Sequence, residues 1–83
     1  MAQVEVHLWS GLRRLTGGEE IVSVNASTIG QMLVALETAH PGLGPILDAG
    51  VSVSLNGEIV NGGRFREISE GDEIFLMQLI KGG

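Results

Sequence analysis

The sequence predicts an α+β fold in which one sheet carries one main helix across one face. Two observations lead to this prediction. Apolar residues recur with a period of two in five segments and with a helical period in one segment, in the order ββαβ, a short β, then β. The last strand is apolar on both faces, which is typical of a strand in the middle of a sheet. Since one helix covers only one face of a sheet, the opposite face stays open.

The length and composition of the chain limit the class of protein. A chain of 83 residues forms one domain, and we expect that domain over residues 1–80 with a flexible tail at 81–83. The chain has no cysteine, which excludes disulfides, thiolate metal sites and thiol nucleophiles. Ten acidic and five basic residues give a net charge of −5, so the basic stripe of a nucleic-acid binder is missing.

Neither a signal peptide nor a transmembrane helix is expected. The N-terminal residues do not combine a basic segment with an apolar one. No apolar run approaches the roughly 18 residues that suggest a membrane span. We therefore expect a cytoplasmic protein that binds no membrane. An acidic surface usually provides solubility alone; if this charge has a further use, it steers the protein towards a basic partner.

The first two strands are predicted from alternation. Residues 3–9 alternate between inward apolar and outward polar positions, and a second strand follows at residues 20–24. Between them, Gly17 and Gly18 predict a turn. The side chains expected to point into the core are Val4, Val6, Leu8, Leu12, Leu15, Val22 and Val24.

The helix is predicted from residue 28 to residue 40. Thr28 with Gln31 fits a capping box, in which each side chain accepts a hydrogen bond from a backbone N–H at the helix start. Pro41 ends the helix, because proline lacks an N–H and restricts the residue before it. One apolar face follows from the helical spacing of Ile29, Met32, Leu33 and Leu36.

The second half of the chain returns to strands. After a loop at residues 43–50 with a short helical turn near Ile46, alternation predicts a strand at 51–55. Asn56-Gly57 then predicts a tight hairpin that returns through a short strand at 58–60. A turn-rich connection leads to the last strand, at residues 73–80.

The last strand places apolar side chains on both of its faces. If Ile74, Leu76 and Ile80 pack under the helix, then Phe75, Met77 and Leu79 lie on the uncovered face. An exposed apolar patch on a small protein usually marks a binding surface. We therefore predict that Phe75, Met77 and Leu79 bind a partner protein; the alternative is that the loop at 10–18 with Trp9 folds over them. The exposed arginines Arg64 and Arg66 are added to this partner-binding surface, where they would meet an acidic patch on the partner.

The chain ends in Lys81, Gly82 and Gly83 directly after the last strand. Two glycines without side chains can enter a slot too narrow for other residues, and they carry the terminal carboxylate with them. A carboxylate becomes a good electrophile only after activation, for example by adenylation, which requires it to meet ATP in a near-attack geometry. This predicts a tail that enters the active site of a partner; the alternative is a frayed terminus in which the sequence matters little.

Four segments in this order resemble the MoaD/ThiS family of ubiquitin-like sulfur carriers: LRRLTGGEE, VSLNGEIV at 53–60, ISEGDEIFL at 68–76, and the terminal Gly82-Gly83. The resemblance covers essentially the whole chain. It implies a β-grasp (ubiquitin-like) fold, with a mixed sheet of about four to five strands and one main helix. It also implies a carrier that is not itself an enzyme and binds no cofactor. An E1-like adenylating enzyme (MoeB/ThiF-like) would use ATP and magnesium to adenylate Gly83, which would then become a thiocarboxylate.

Length and layout favour the MoaD branch, in which the acceptor is the large subunit of molybdopterin synthase (MoaE-like). The end QLIKGG departs from that branch, since Lys81 resembles the basic residue of ubiquitin-like tails. Two alternatives remain open: a protein modifier conjugated through Gly83, and a carrier for thiamine, cysteine, tungsten cofactor or natural-product synthesis. His7 and His40 are too far apart in sequence to suggest a metal site, and none is predicted.

Overall fold

The computed structural model describes residues 2–60 and 63–78 and confirms the predicted β-grasp fold. The sheet has five strands: β1 (Ala2–His7), β2 (Ile21–Ala26), β3 (Val51–Leu55), β4 (Glu58–Val60) and β5 (Glu73–Gln78). Two α-helices, α1 (Ile29–Ala39) and α2 (Gly44–Ala49), and two short 3-10 helices (Ser10–Leu15 and Pro41–Leu43) complete the described elements. Among them, no helix has the length and apolar character needed to cross a membrane.

The strand order is β2-β1-β5-β3-β4, so β5 lies in the middle as predicted. It runs parallel to β1 and antiparallel to β3, which makes the sheet mixed. The outer pairs, β1 with β2 and β3 with β4, are antiparallel. Because β5 is central, the apolar side chains on its outer face lie in the middle of the face that α1 leaves open.

The core lies between the sheet and α1, where Ile29, Met32 and Leu36 are buried. From β5, the core receives Ile74 and Leu76, which are 0% and 2% exposed. The inward positions predicted by alternation are confirmed. The buried apolar residues that the structure describes are Val4, Val6, Leu8, Leu12, Val22, Val24, Ala26, Ile29, Met32, Leu36, Leu43, Val53, Leu55, Ile68, Ile74 and Leu76.

The start of α1 is capped in a way that only half matches the predicted capping box. The N–H of Gln31 donates to Oγ1 of Thr28 at 3.2 Å, as expected. Oε1 of Gln31 accepts from the N–H of Ser27 at 2.8 Å, one residue before the N-cap. The N–H groups of Ile29 and Gly30 donate to the carbonyls of Arg66 and Arg64, at 3.0 and 2.9 Å. A distant loop therefore completes the cap.

The loops contain more helix than the sequence predicts. The connection after β1 is a 3-10 helix, Ser10–Leu15, which places Leu12 in the core. The predicted loop near Ile46 is the six-residue helix α2, which has a proline in its first turn and ends at Gly50 with φ 111°. Strand β2 continues to Ala26, since this small, fully buried residue pairs with Ala2.

Candidate functional site: the open face of the sheet

A row of side chains crosses all five strands on the face that α1 does not cover. In the strand register, His7 pairs with both Ile21 and Phe75, and Ser54 pairs with both Phe75 and Ile59. Paired residues on neighbouring strands point to the same face. We call Ile21, His7, Phe75, Ser54 and Ile59 the apolar row.

The apolar row is open to solvent. Ile21 is 43%, Phe75 37% and Ile59 57% exposed, although all three are large hydrophobic residues. Phe75 is held in place by the ring of His7, which stacks on it with centroids 4.3 Å apart. The described loops thus leave this face uncovered, and the prediction that Phe75 lies on the open face is confirmed. Met77, half-buried, pairs with Ser52 on the same face.

An acidic row runs beside the apolar row. Glu5 lies directly opposite Glu73 on β5 and Ser23 on β2. Like charges at directly opposed positions destabilise a sheet. A shallow groove of about 300 Å³ continues this surface and is lined in part by Glu70 and Asp72. The open face therefore combines an apolar centre with an acidic border, which is complementary to an apolar surface bordered by basic groups.

Two of the sequence motifs meet in space and serve the fold. Nδ2 of Asn56, in the hairpin after β3, donates to Oδ1 of Asp72 at 3.1 Å. Oδ1 of Asn56 accepts from the N–H of Glu73 at 2.8 Å, and Oδ2 of Asp72 accepts from the N–H of Ser69 at 2.7 Å. These bonds fix the β3–β4 hairpin to the start of β5. They set the place of the strand that carries Phe75.

The predicted partner-binding residues do not form one surface. Arg64 and Arg66 are exposed, but their carbonyls accept from the first N–H groups of α1, on the side of the sheet that the helix covers. Phe75 and Met77 lie on the opposite side. The binding role of all four residues stays a prediction.

The remaining predicted site residues, Leu79, Lys81, Gly82 and Gly83, lie outside the described residues. The last described residue is Gln78, the end of β5. The strand that presents Phe75 on the open face thus leads directly to the tail.

Sequence reasoning missed the contribution of Ile21, His7 and Ile59 to the apolar row. Alternation alone assigns each of them an outward direction. Only the register of four strand pairs, which the sequence does not encode locally, shows that they line up with Phe75.

Within residues 2–60 and 63–78, no group of three or more histidine or carboxylate side chains is arranged to hold a metal ion.

Comparison with protein-family models gives a match to the ThiS family over residues 6–83. No curated protein sequence matches the chain significantly.

Several solved structures have the same fold over nearly the whole chain. SAMP1 from Haloferax volcanii is 29% identical with a TM-score of 0.79, and the match covers 99% of this chain and 100% of that one. A chain of the Amycolatopsis orientalis BexX/CysO complex is 28% identical with a TM-score of 0.82, covering 95% and 98%. Subunit 1 of a putative molybdopterin converting factor from Pyrococcus furiosus is 17% identical with a TM-score of 0.80, covering 96% and 100%. At that identity, the last match shows the fold alone.

Proposed function

This chain belongs to the ThiS family, and from that premise we propose that it is a sulfur carrier whose terminal Gly83 carboxylate is converted to a thiocarboxylate. The observation that carries the proposal is the position of β5. β5 carries the exposed Phe75, and its last residue, Gln78, stands five positions before Gly83 in the sequence. In this proposal the folded domain binds the partner, and the carboxylate at the chain end is the group that reacts.

The proposed loading has two steps. A Gly83 carboxylate oxygen attacks the α-phosphate of ATP, which releases pyrophosphate and leaves an acyl-adenylate. A sulfide-level nucleophile then attacks the acyl carbon, AMP leaves with its electron pair, and a proton is released as the thiocarboxylate forms. ATP and magnesium belong to the partner enzyme, while the carrier binds no cofactor and catalyses neither step.

The carrier contributes position. Residues 79–83 span at most about 18 Å beyond Gln78, since an extended chain advances roughly 3.3–3.6 Å per residue. A partner that binds the apolar row therefore has the Gly83 carboxylate within that radius of a fixed point. Because binding of the domain already confines the carboxylate, less entropy is lost when the carboxylate meets ATP.

The partner we propose is an E1-like adenylating enzyme of the MoeB/ThiF kind. Its docking surface would carry an apolar centre against Phe75 and basic groups against Glu5 and Glu73. Opposite charges at such a border accelerate association and suppress wrong partners. The BexX/CysO complex supports a partnered mode of action, since a chain of that complex is 28% identical to this one.

For the acceptor, the layout of the sequence favours the large subunit of molybdopterin synthase (MoaE-like). The likeness to the Pyrococcus furiosus subunit, at 17% identity, shows the shared fold and does not distinguish this branch from the others. A second candidate, favoured by 29% identity to SAMP1, is a protein modifier joined to other proteins through Gly83. In that case a lysine amine, instead of a sulfur nucleophile, displaces AMP from the acyl-adenylate.

The surface half of the proposal is tested by Phe75→Asp. Replacing this side chain with a carboxylate removes the apolar centre of the row, and loss of an interface hot spot typically costs about 2 kcal/mol or more. We expect affinity for the E1-like enzyme, measured by calorimetry, to fall by about thirtyfold or more. The free energy of unfolding should fall by about 2 kcal/mol, from the lost stacking on His7 and the low strand propensity of aspartate, and the chain should remain folded.

A matched control is Thr38→Asp, which adds the same charge at an exposed position of α1. It should leave the affinity for the enzyme unchanged. A Phe75→Asp variant that loses much stability but binds normally would remove the open face from the proposal.

A further inference from the structure

We propose that a groove beside α1 is a second docking surface, and that it binds a short segment of a partner protein carrying both apolar and acidic side chains. The residues that form it are Gly30, Gln31, Val34, Ala35, Arg64 and Phe65. We call this the helix groove. Its lining shares no residue with the apolar row, so the inference does not depend on the function proposed above.

The first observation is the exposure of Phe65. Its side chain is 92% exposed, more than any other large hydrophobic residue that the structure describes. The loop that carries it is fixed by its backbone. The carbonyls on either side of Phe65, those of Arg64 and Arg66, accept from α1, and the N–H of Ile68 donates to the carbonyl of Ser27 at 3.0 Å. Phe65 is thus exposed on a loop whose backbone is fixed by hydrogen bonds to α1 and to Ser27.

The second observation is the shape and lining of the surface next to Phe65. The groove has a volume of about 690 Å³, within the range of about 300–1,000 Å³ usual for ligand sites. Val34 on α1 is 58% exposed and faces this groove together with Ala35. A contiguous apolar surface beside an exposed aromatic ring is typical of an interaction site.

The third observation is charge. The side chain of Arg64 lies against Gly30 in the first turn of α1, a turn with no acidic residue. Among residues 2–60 and 63–78, Arg64 forms no ion pair, although Glu37 and Asp48 line a small recess on its other side. The positive end of the helix dipole adds to the charge of the guanidinium. On a protein with a net charge of −5, this is a local site for an anionic group.

The recognition we propose is through the guanidinium and not through the helix end. The N–H groups of Ile29, Gly30 and Gln31 already donate to Arg66, Arg64 and Thr28. The Arg64 guanidinium offers several donors in a planar fork that matches a carboxylate. An occupant with leucine- or valine-like side chains on Phe65 and Val34 and an aspartate or glutamate at Arg64 satisfies both parts of the groove.

A partner protein fits this chemistry better than a second copy of the chain does. Two copies each carrying a net charge of −5 repel one another as they approach. A short acidic segment of a larger protein places a carboxylate at Arg64 without the repulsion between two chains of net charge −5.

The test uses the full chain, labelled with nitrogen-15, and a synthetic peptide with an apolar half of leucine and valine and an acidic half of aspartate. The control peptide carries lysine in place of aspartate. We expect the acidic peptide to shift the amide resonances of Gly30, Gln31, Val34 and Phe65, and to leave those of His7 and Phe75 unmoved. The lysine peptide should bind at least tenfold more weakly.

Two variants complete the test. Phe65→Ala and Arg64→Glu should each weaken binding of the acidic peptide about tenfold or more, as expected for an interface anchor and for a reversed charge. Thr38→Ala, at an exposed position outside the groove, should bind as the unchanged chain does. Shifts confined to the apolar row, equal binding of both peptides, or sedimentation showing a dimer that Phe65→Ala abolishes would each overturn the proposal.

Discussion

Gly30 shows how a single residue links sequence, fold and surface. A glycine inside a helix normally costs about 1 kcal/mol relative to alanine. Here a Cβ at position 30 would lie 3.0 Å from the carbonyl oxygen of Arg64 and 3.4 Å from its Cβ. The missing side chain lets the loop with Phe65 approach α1 and cap it. The close approach of the Arg64 backbone is therefore the reason for a glycine at position 30. The φ angle of Gly30 is helical and gives no reason for glycine.

We expect Gly30→Ala to lower the free energy of unfolding by up to about 1 kcal/mol, because overpacking the contact with Arg64 costs about 1–3 kcal/mol and outweighs the roughly 1 kcal/mol of helix propensity gained with alanine. Urea denaturation followed by the fluorescence of Trp9, the single tryptophan of the chain, measures this change. Val34→Ala, at an exposed position of the same helix, should change stability by no more than about 0.5 kcal/mol. A Gly30→Ala variant more stable than the unchanged chain would contradict the close approach.

At the scale of elements, the β3–β4 hairpin is the part on which β5 depends. Asn56 has φ 51° and Gly57 φ 89°, the left-handed conformations of a tight two-residue turn. The Asn56 side chain then bonds to Asp72 and to the N–H of Glu73, across 16 and 17 positions of sequence. The hairpin thereby fixes the strand that carries Phe75.

Two substitutions at position 56 separate these contributions. Asn56→Gly keeps the backbone conformation and removes the two side-chain bonds, so we expect stability to fall by about 1–2 kcal/mol. Asn56→Ala removes the same bonds and keeps a Cβ in the left-handed conformation, so we expect it to be about 1 kcal/mol less stable than Asn56→Gly. Urea denaturation should rank the chains in that order. Equal stability of the glycine variant and the unchanged chain would mean that the bonds to Asp72 and Glu73 contribute nothing.

The strands and α1 were predictable because their side chains follow strict periods, and Asn56-Gly57 because that pair suits few other structures. The 3-10 helix Ser10–Leu15 was not, and α2 was predicted only as a short turn near Ile46, since six residues make two helical turns or fewer and show no helical period. Only part of the apolar row could be predicted from the sequence. Alternation places Phe75 outward, but its alignment with Ile21 and Ile59 depends on pairing between distant segments. The cap at α1 from residues 64–66 is likewise a long-range contact.

At the scale of the whole molecule, the sheet separates two surfaces of different character. The open face is apolar in the centre and acidic at its border, and its central strand leads to the tail. The other side carries α1 and the helix groove, where Arg64 provides a local positive charge on an acidic protein. A partner on one side leaves the other accessible, so we expect the carrier to bind an activating enzyme and a second protein at the same time.

The central claim is that the reactive group is the terminal carboxylate of Gly83 on a folded carrier. The most direct measurement is the intact mass of the chain after incubation with its E1-like enzyme, ATP, magnesium and a sulfide source. We predict a mass gain equal to the exchange of one oxygen for sulfur, located at Gly83, and no gain in a folded chain that lacks Gly83. An unchanged mass for the full chain, or the same gain in the shortened chain, would contradict the account.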